Sequence, residues 1–399
     1  MGKPPRKILH IDLDAFFCAA EELKDPTLRG TAFAVGGRPE TRGVVSSCSY
    51  AARQHGVRSA MPTARALRLC PGLKVVPPRH GYYGELSDQV MQRIGDLTPL
   101  VEPISIDEAF LDVSDLPDSP GDIAARLQAR IFTELQLPAS LGAASNKLVA
   151  KIATDVGKAA NRGPNPPMAI TVVPPGDEAA FLAPLPVQSL WGVGPKSAAR
   201  LKELGIHTIG DLAARPEPSV ADVFGLVGHE LWLRAQGRDD DPVVTEWTAK
   251  SVSQETTFAR DVTDQQALTK TLRQLADGVA RRLRADGLCG STVKIKLRWS
   301  DFTTLTRQST LAQPTDLDSE IFGTALQLFE HTWVPPRPVR LIGVGVTGLG
   351  ATARQLALWN EPTERERKLV AAVDALRERF GDSVIRRGSS LATQNAEPE

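Results

Sequence analysis

Three acidic residues set in apolar stretches are the clearest chemical signal in the sequence. Asp12 ends a hydrophobic run that begins at residue 7, and Asp107 and Glu108 are adjacent between two apolar segments. Burying adjacent carboxylates without a counter-charge is costly, so a buried site here requires cations. Mg²⁺ suits such a site, because it is usually held by a few carboxylates together with substrate phosphates. A pair of Mg²⁺ ions can activate an attacking hydroxyl and stabilise the leaving group of an in-line phosphoryl displacement.

Two other interpretations of these acids remain open on the residues alone. Most acidic side chains are solvated, so each of the three can equally be an exposed loop residue or a member of a salt bridge. A haloacid-dehalogenase-type phosphatase also carries a pair of aspartates after its first strand, as Asp12 and Asp14 do here. That class has Thr or Val two residues after the second acid, whereas Phe16 stands at this position in the chain.

The composition excludes several classes of protein. The 399 residues include 47 Lys plus Arg and 47 Asp plus Glu, which excludes a wholly basic, histone-like binder but allows local basic patches. Hydrophobic residues make up 42%, as in globular proteins. The cysteines form no CxxC pair, which argues against a clustered zinc site or a disulfide scaffold and favours reduced thiols. They are Cys18, Cys48, Cys70 and Cys289.

The hydropathy pattern predicts a cytoplasmic protein without a membrane segment. No stretch of 18 apolar residues occurs, so no membrane span is expected. The chain starts with basic residues, but Asp12 and Asp14 interrupt the apolar run that follows, and this differs from a signal peptide.

The acids are predicted to lie at strand ends within a mixed α/β region. The pattern of residues 7–14 predicts a buried strand, and that of 100–113 predicts two short strands that meet at the acidic pair. Short helices are expected over 183–240, and the aspartate run at 239–241 marks the end of a domain. Other helices and strands are predicted at 15–23, 31–36, 43–48, 49–70, 81–97, 121–135, 139–144 and 145–156.

The C-terminal part is predicted to form a βαββαβ module, a four-stranded sheet backed by two helices. Its elements are strand 251–258, helix 264–286, strands 291–299 and 303–311, helix 317–331 and strand 339–347. Beyond the module, apolar residues recur at helical spacing over 361–387, and 388–399 is expected to be disordered.

A row of basic residues lies on one strand of this module. Lys294, Lys296 and Arg298 alternate, so their side chains fall on one face of the strand. Arg307 on the next strand is expected to join them. Such a row suits the backbone of duplex DNA, through contacts that are independent of sequence and weakened by salt. A solvated sheet face is the alternative.

A second phosphate-binding pattern, Trp-Gly-Val-Gly-Pro-Lys-Ser, lies at 191–197 between predicted helices. It resembles a helix-hairpin-helix, in which glycines let the turn approach a phosphate and the amides at the next helix start face the anion. Gly192, Gly194 and Lys196 are its candidate DNA contacts. A plain turn between two helices is the alternative.

Three longer motifs, in this order, point to a family. They are Ile-Asp-Leu-Asp-Ala-Phe-Phe at 11–17, Ser-Tyr-Ala-Ala-Arg at 49–53 with Gly-Val-Arg-Ser-Ala-Met-Pro at 56–62, and Ser-Ile-Asp-Glu-Ala-Phe-Leu-Asp at 105–112. Through them the chain resembles the Y-family DNA polymerases, and within these the DinB branch, from about residue 7 to about residue 359. The resemblance implies low-fidelity, template-directed translesion synthesis, in which deoxynucleotides are added to a primer 3′-hydroxyl.

The resemblance also implies an α+β multidomain fold. This fold is a right-hand polymerase with a ferredoxin-like palm, small fingers, a helical thumb and a βαββαβ little finger. A monomer that binds primer–template DNA and deoxynucleoside triphosphates is expected. The expected boundaries are palm 1–14 and 79–170, fingers 15–78, thumb 171–241 with the helix-hairpin-helix, linker 242–250, little finger 251–350 and tail 351–399.

Carried over by motif, Asp12, Asp107 and Glu108 are expected to be catalytic. Together with the backbone carbonyl of Leu13 they are expected to hold two Mg²⁺ ions. Phe17 matches the steric gate, a ring that stands where a ribose 2′-hydroxyl would lie, and an ordinary core aromatic is its alternative. The residues expected to bind the incoming nucleotide are Phe16, Phe17, Ser47, Tyr50, Arg53 and Lys158.

Tyr50 and Arg53 lie three residues apart, which places both on one helix face, where arginine can hold a phosphate by two hydrogen bonds.

The chain departs from the family pattern at the loop that carries the family's phosphate-binding lysine. The family's Lys-Pro-Asn-Gly is replaced by Lys-Ala-Ala-Asn-Arg-Gly, so either Lys158 or Arg162 is expected to meet the triphosphate. Small residues at 45–47 indicate a roomy site over the nascent base pair.

A short peptide after the module implies one further partner. Gln355, Leu356, Leu358 and Trp359 resemble the Gln-Leu-x-Leu-Phe peptide by which bacterial polymerases dock on the sliding clamp. Trp359 stands in place of Phe and keeps a large aromatic anchor. A chance match or a core strand is the alternative.

Two further functions remain under consideration. A non-catalytic DNA-binding scaffold with a polymerase fold would lack the metal carboxylates, and all three are present in this chain. A nucleotide cyclase uses a similar two-metal site on a palm-like domain. It needs none of the duplex-binding or clamp-binding segments seen here.

Overall fold

The computed structural model describes residues 5–161, 163–351, 361–381 and 384–385. These residues form two compact units, one that ends at Trp247 and one that begins at Thr248. No helix in the described part of the chain is long and apolar enough to cross a membrane.

The first unit combines two sheets with a series of helices. Its strands are β1 (Ile8–Leu13), β2 (Phe33–Gly36), β3 (Val45–Cys48), β4 (Lys74–Val76), β5 (Val101–Pro103), β6 (Glu108–Asp112), β7 (Ala139–Ala144) and β8 (Ile170–Val172). Its helices are α1 (Phe16–Lys24), α2 (Tyr50–Gln54), α3 (Thr63–Leu69), α4 (His80–Gly95), α5 (Pro120–Leu135), α6 (Lys147–Ala160), α7 (Glu178–Leu182), α8 (Pro195–Glu203), α9 (Ile209–Ala213), α10 (Glu217–Phe224) and α11 (Leu226–Ala235). No sequence pattern predicts β4 or β8, because three residues carry too little periodicity.

The main sheet of this unit places acidic residues side by side. Its strand order is β5-β6-β1-β7-β8, and β1 is antiparallel to both of its neighbours. In this register Asp12 lies opposite Glu108 on β6 and opposite Ser140 on β7. Directly opposed residues project to the same side, so both carboxylates project from the same face of the sheet.

The two faces of the main sheet are covered by different helices. Leu9 and Ile11 pack into a core shared with α4 and α5, where Ile123 is fully buried. Successive residues of a strand point to opposite faces. The residues that alternate with these two, namely Ile8, His10 and Asp12, therefore face α6.

Helix α6 lies very close to β7 at Gly142. A Cβ atom built on Gly142 would lie 2.0 Å from the Ala150 carbonyl oxygen and 2.6 Å from the Thr154 nitrogen, both of which are backbone atoms. The missing side chain therefore lets the helix pack directly against the sheet. This close approach brings the lysines of α6 to the strand edge that carries Asp12.

Gly142→Ala is expected to lower the free energy of unfolding by about 3 kcal/mol or more, because neither backbone atom can turn away from the new methyl group. Urea unfolding followed by circular dichroism measures the loss. Gly84→Ala, inside α4 and with open space at its Cβ position, is the matched control and is expected to stabilise by about 0.5–1 kcal/mol. Similar effects of the two substitutions would contradict the close packing of α6.

A smaller sheet in the order β3-β2-β4 follows the first helix. Strand β2 is antiparallel to β3 and parallel to β4. Its core includes Val45, Cys48 and Ala52. Val45 is only 1% exposed and packs in this core, so it does not border a roomy nucleotide site as expected, whereas Ser46 and Ser47 line a cavity.

The rest of the first unit is helical, as predicted for 183–240. Helices α7 to α11 enclose a core that includes Leu182, Leu201 and Ile209. The turn before α8 contains Gly192, whose φ of +98° is a conformation that glycine adopts without strain, and Gly194 caps the helix.

The second unit contains the predicted βαββαβ module. Its elements are β9 (Ser251–Val262), α12 (Gln265–Ala285), β10 (Leu288–Trp299), β11 (Thr304–Thr315), α13 (Asp318–Thr332) and β12 (Val339–Ala351). The antiparallel sheet has the order β11-β10-β12-β9, and its core with both helices includes Leu272, Ile295 and Phe329. The prediction of a four-stranded sheet backed by two helices is confirmed.

The pairing of β10 with β11 corrects one expectation about the basic row. Lys294, Lys296 and Arg298 alternate with core residues such as Ile295, so they share the face of the sheet that points away from the helices. Arg307 lies directly opposite Ile295, so its side chain leaves the other face. An offset of one residue reverses the direction of a side chain on a strand, and Arg307 therefore does not join the row.

Helix α14 (Glu361–Phe380) follows and confirms the helical spacing seen after residue 361. Two ion pairs join it to the rest of the second unit, Arg284–Asp374 at 2.7 Å and Arg367–Asp316 at 2.6 Å. Several predictions fall outside the described residues, namely those on Arg162, the clamp-binding residues Gln355, Leu356, Leu358 and Trp359, and the tail 388–399.

Candidate active site

A cavity of about 750 Å³ opens at the end of β1. Its lining brings together the residues predicted to bind metal or nucleotide, namely Asp12, Leu13, Phe16, Phe17, Ser47, Tyr50, Arg53, Asp107 and Lys158. Glu108 does not line the cavity but lies opposite Asp12 on the neighbouring strand. Ser46, one of the small residues predicted to border the site, also lines the cavity, as do Arg58 and Asp155, which had no predicted role.

Asp12 is neutralised by a lysine. The Lys158 ammonium lies 2.6 Å from Asp12 Oδ1 and 3.2 Å from Asp14 Oδ1. Asp14 is fully buried and also accepts hydrogen bonds from Ser140 Oγ and the Met168 nitrogen. Burial raises the pKa of Asp12 to about 6, against the attraction of Lys158. An ionised Asp12 therefore needs positive charge beside it.

Glu108 lies beside two basic side chains. Lys151 Nζ donates a hydrogen bond to Glu108 Oε2 at 2.7 Å, and Nε2 of the buried His10 lies 3.5 Å from the same oxygen. The contact with His10, followed by that with Lys151, lowers the pKa of Glu108 to about 2. Glu108 is therefore ionised at neutral pH.

Asp107 lies at the turn that leads into β6 and borders the cavity. Its carboxylate accepts a hydrogen bond from Ser105 Oγ at 2.5 Å, and its carbonyl oxygen accepts one from the Leu13 nitrogen at 2.9 Å. In the described residues, no three His, Cys, Asp or Glu side chains are arranged to hold a metal ion. The structure thus brings the three acids to the same end of β1 and β6, here called the acidic edge, without gathering their carboxylates around one point.

The chemistry of this strand edge fits divalent cations. Its three carboxylates and the Leu13 carbonyl offer oxygen atoms, the ligands that Mg²⁺ prefers. Like charges directly opposite one another on neighbouring strands, such as Asp12 and Glu108, destabilise a sheet. An ammonium group lies within 2.7 Å of each of these two carboxylates, so positive charge already stabilises this edge.

The two phenylalanines of α1 occupy different environments. Phe16 is 2% exposed and belongs to the core, although it also borders the cavity. Phe17 is half-buried, and its ring stacks on Tyr83 with 4.4 Å between ring centroids and 15° between planes. Tyr83 is itself held, because its hydroxyl donates to Glu21 at 2.6 Å. The Phe17 ring therefore has a defined position at the cavity wall.

A basic and aromatic part of the lining comes from α2. The Arg53 guanidinium lies over the Tyr50 ring, 4.5 Å from its centroid, and donates from Nε to the Cys48 carbonyl oxygen. The Tyr50 hydroxyl is buried and makes no hydrogen bond to the described residues. A buried hydroxyl without a partner is costly, so this atom suits the oxygen of a bound ligand. Burial raises the pKa of Tyr50, so the phenol keeps the proton that it would donate.

Two basic residues beside Glu108 had no predicted role. They are His10 and Lys151, which both approach Glu108. A signal for His10 was present, since residues two apart on a strand share a face and Asp12 was already singled out. Lys151 lies seven residues, about two helical turns, before Lys158, so both lysines project from one side of α6.

The predicted helix-hairpin-helix lies beside α6 but outside the cavity. Gly192 borders a separate groove of about 670 Å³, together with Lys151 and Trp191. Gly194 and Lys196 are exposed at the start of α8. The DNA contacts of this turn stay predictions.

Models of known protein families match three parts of the chain. Residues 11–155 match the impB/mucB/samB family, 249–358 match its C-terminal domain, and 175–206 match the HHH motif of the same family. The DNA polymerase IV of Desulfatibacillum aliphaticivorans is 42% identical over 385 residues, which is 95% of each chain. This chain belongs to the DinB branch of the Y-family DNA polymerases.

Other members of the family are similar over comparable lengths. The DNA polymerase IV of Dehalococcoides mccartyi is 40% identical over 387 residues, which cover 96% of this chain and 97% of the relative. That of Streptomyces coelicolor is 42% identical over 349 residues, which cover 86% of this chain and 71% of the relative. A solved Y-family DNA polymerase chimera has a TM-score of 0.77 at 24% identity, covers 87% of this chain and all of its own, and shows the fold.

Membership in the Y-family confirms several predictions. The α+β multidomain, right-hand polymerase fold and the DNA-directed DNA polymerase activity are confirmed. The polymerase is a metal-dependent nucleotidyltransferase that binds DNA and nucleotides. The interpretations as a phosphatase and as a nucleotide cyclase are excluded.

Proposed function

We propose that the polymerase carries out low-fidelity, template-directed translesion synthesis, adding deoxynucleotides to a primer 3′-hydroxyl by two-metal phosphoryl transfer. One observation carries this proposal. A single cavity joins the acidic end of β1 to the aromatic residues of α1 and to Tyr50 and Arg53 of α2. The acidic edge suits Mg²⁺, and the basic wall suits a triphosphate.

The acidic edge is the proposed metal-binding part of this cavity. The carboxylates of Asp12, Asp107 and Glu108, with the backbone carbonyl of Leu13, would hold two Mg²⁺ ions. When bound, the ions lower the pKa of the primer hydroxyl and stabilise the departing pyrophosphate. The close pairing of Asp12 and Glu108 across two strands supports this assignment.

The other residues of the lining are proposed to bind the incoming nucleotide. Arg53 would hold a phosphate through two hydrogen bonds, and the Tyr50 hydroxyl would donate one more. Ser47 would add a hydroxyl to the phosphates, and the ring of Phe17 would stand beside the sugar. Phe16 supports Phe17 from the core, with 5.7 Å between their ring centroids.

Lys158 is proposed to serve both ends of the cavity. Its ammonium contacts Asp12 and Asp14, and its side chain also borders the cavity. Because lysine is a compact charge on a flexible stem, the ammonium can turn from these carboxylates toward a triphosphate. Low fidelity and bypass of damaged bases are supported by Ser46 and Ser47, which leave room where β3 borders the cavity.

DNA is proposed to lie against the helix-hairpin-helix turn and the basic row of β10. Gly192 and Gly194 would let a phosphate approach the start of α8, where Lys196 is exposed. On β10 the side chains of the row remain partly accessible, and Lys296 also pairs with Glu255 at 2.8 Å. Arg307 would contact DNA separately from the row, from the opposite face of the sheet.

Replacing Lys294, Lys296 and Arg298 together by glutamine is expected to weaken primer–template binding. The slope of log Kd against log salt is expected to fall by up to about 2.7, since each lost phosphate contact removes about 0.9. Fluorescence anisotropy of a labelled primer–template at several salt concentrations measures both quantities. Lys270→Gln, on α12 in the helical layer of the module, is the control and should change neither. An unchanged slope in the triple variant would remove the row from the DNA interface.

Three further proposals rest on the sequence. The sliding clamp is the proposed partner of the peptide at 355–359, the polymerase is proposed to act as a monomer, and its proposed location is the cytoplasm. An immobilised bacterial sliding clamp tests the first proposal. Clamp binding is supported if the clamp retains the 399-residue chain and no longer retains it when Leu358 and Trp359 are both replaced by alanine.

Primer extension with four deoxynucleoside triphosphates and Mg²⁺ tests the proposed function. Templated products are expected on an undamaged primed template, and products that continue beyond the lesion are expected on a template with one damaged base. Binding of primer–template without any extension would favour the alternative function, a non-catalytic DNA-binding scaffold.

A further inference from the structure

A buried histidine lies directly behind the acidic edge. His10 is fully buried on β1, two residues before Asp12 and on the same face of the strand. Its Nε2 atom lies 3.5 Å from Glu108 Oε2 and makes no hydrogen bond to any described residue. A buried polar nitrogen without a partner is costly, and a hydrogen bond to this carboxylate would remove the cost.

The other ring nitrogen determines how His10 is oriented. Nδ1 lies 2.9 Å from Oγ1 of the buried Thr154, whereas the carbonyl oxygens near that hydroxyl are 3.2 Å and 3.3 Å away. A carboxylate oxygen can only accept a hydrogen bond, so we assign the ring proton to Nε2, which faces Glu108, and Nδ1 then accepts from the Thr154 hydroxyl. The N–H of Nε2 therefore faces Glu108.

Lys151 approaches the same carboxylate oxygen from α6. Its Nζ atom donates to Glu108 Oε2 at 2.7 Å, whereas Oε1 accepts no hydrogen bond from the described residues. Both basic groups thus act on one oxygen of the carboxylate. The close packing of α6 at Gly142 is what allows Lys151 and Thr154 to reach Glu108 and His10.

We propose that His10 is a positioning residue for Glu108. Its Nε2–H, together with Lys151, holds the Oε2 atom of Glu108 and leaves Oε1 free to bind metal at the acidic edge. This inference rests on the proposed two-metal function and adds to it a residue that touches neither metal nor substrate. Residues that orient metal ligands in this way typically change metal affinity by about 10- to 100-fold when they are removed.

Mn²⁺ binding without turnover tests the proposal. The polymerase is bound to a primer–template whose primer ends in a dideoxynucleotide, with the matching deoxynucleoside triphosphate present, and the electron paramagnetic resonance signal of free Mn²⁺ is followed. His10→Leu is expected to raise the dissociation constant of Mn²⁺ about 10- to 100-fold. His10→Gln, whose side-chain N–H can replace that of Nε2, is expected to bind Mn²⁺ within about threefold of the wild type.

A second variant keeps the test independent of folding, because leucine at a buried polar position can prevent folding. Thr154→Val keeps the shape of the side chain, removes the hydroxyl that orients the ring, and is expected to weaken Mn²⁺ binding about 3- to 10-fold. Thermal melting by circular dichroism identifies the folded variants. Wild-type Mn²⁺ affinity in folded Thr154→Val or His10→Leu would overturn the positioning role, and so would equal losses in His10→Leu and His10→Gln.

A failure of the underlying function gives a different result. If the wild type itself does not bind Mn²⁺ in this complex, or if Glu108→Gln leaves that binding unchanged, the proposed two-metal site is contradicted rather than the role of His10. We expect the wild type to bind Mn²⁺ in this complex. We also expect Glu108→Gln to weaken that binding at least as much as His10→Leu does.

Discussion

Asp107→Ala is expected to abolish templated primer extension, lowering its rate by about a thousandfold or more. Asp107 borders the cavity, and its carboxylate is one of the three proposed to hold the Mg²⁺ ions. Stabilisation of transition-state charge by a metal ion is worth several kcal/mol, and each loss of about 1.4 kcal/mol lowers the rate tenfold. Single-turnover extension of a labelled primer at saturating nucleotide measures the rate.

The same substitution is expected to leave the fold intact. The Asp107 carboxylate is half-buried and accepts a hydrogen bond from the nearby Ser105, so its loss should cost about 1 kcal/mol of stability. Asp115→Ala removes an exposed acid shortly after β6 and is the matched control, with extension expected at the wild-type rate. A folded Asp107→Ala variant that extends primers within about tenfold of this control would contradict a role in metal binding.

Phe17→Ala is expected to reduce discrimination against ribonucleotides by about 10- to 200-fold. The Phe17 ring is held against Tyr83 at the wall of the cavity, where the incoming sugar is proposed to lie. A ring in a defined position excludes a 2′-hydroxyl by steric overlap, and one small group in a packed pocket is worth about 1–3 kcal/mol. The ratio of kcat/KM for a deoxynucleoside triphosphate to that for its ribonucleoside counterpart measures the change.

A control separates the size of the ring from the stability of the fold. Phe17→Tyr keeps a ring at this position and is expected to retain most of the discrimination. Phe17→Ala also loses the stacking on Tyr83 and is expected to lose about 0.5–1.5 kcal/mol of stability beyond the lost burial. That loss alone does not change the ratio, because both nucleotides meet the same enzyme. An unchanged ratio in Phe17→Ala would leave Phe17 as an ordinary core aromatic.

The sequence by itself determined most of the helices and strands, the candidate chemistry and the family. The apolar run at 7–14 predicted β1 and its acidic end, and the pattern from 251 to 347 predicted the whole βαββαβ module. These features depend on residues that are close together in the chain, so their spacing carries the information. Ordered motifs then singled out Phe17 and Arg53, which periodicity alone does not distinguish from a core aromatic and a surface charge.

The direction of one predicted side chain depended on strand pairing. Arg307 was expected beside Lys296 because the two lie on consecutive strands, but the register pairs Lys296 with Thr306 and Arg307 with Ile295. Register is chosen by burial of the whole apolar face of both strands. No local spacing encodes it, so the sequence of one strand does not show which residue of the next lies opposite.

Only the tertiary structure decided which charged groups meet at the active site. Lys151 contacts Glu108 across 43 residues of chain, and Lys158 contacts Asp12 across 146. Both contacts follow from the placement of α6 against the sheet, where Gly142 leaves space for its backbone. That placement results from close packing of many residues distant in sequence, so it becomes visible only when the whole chain has folded.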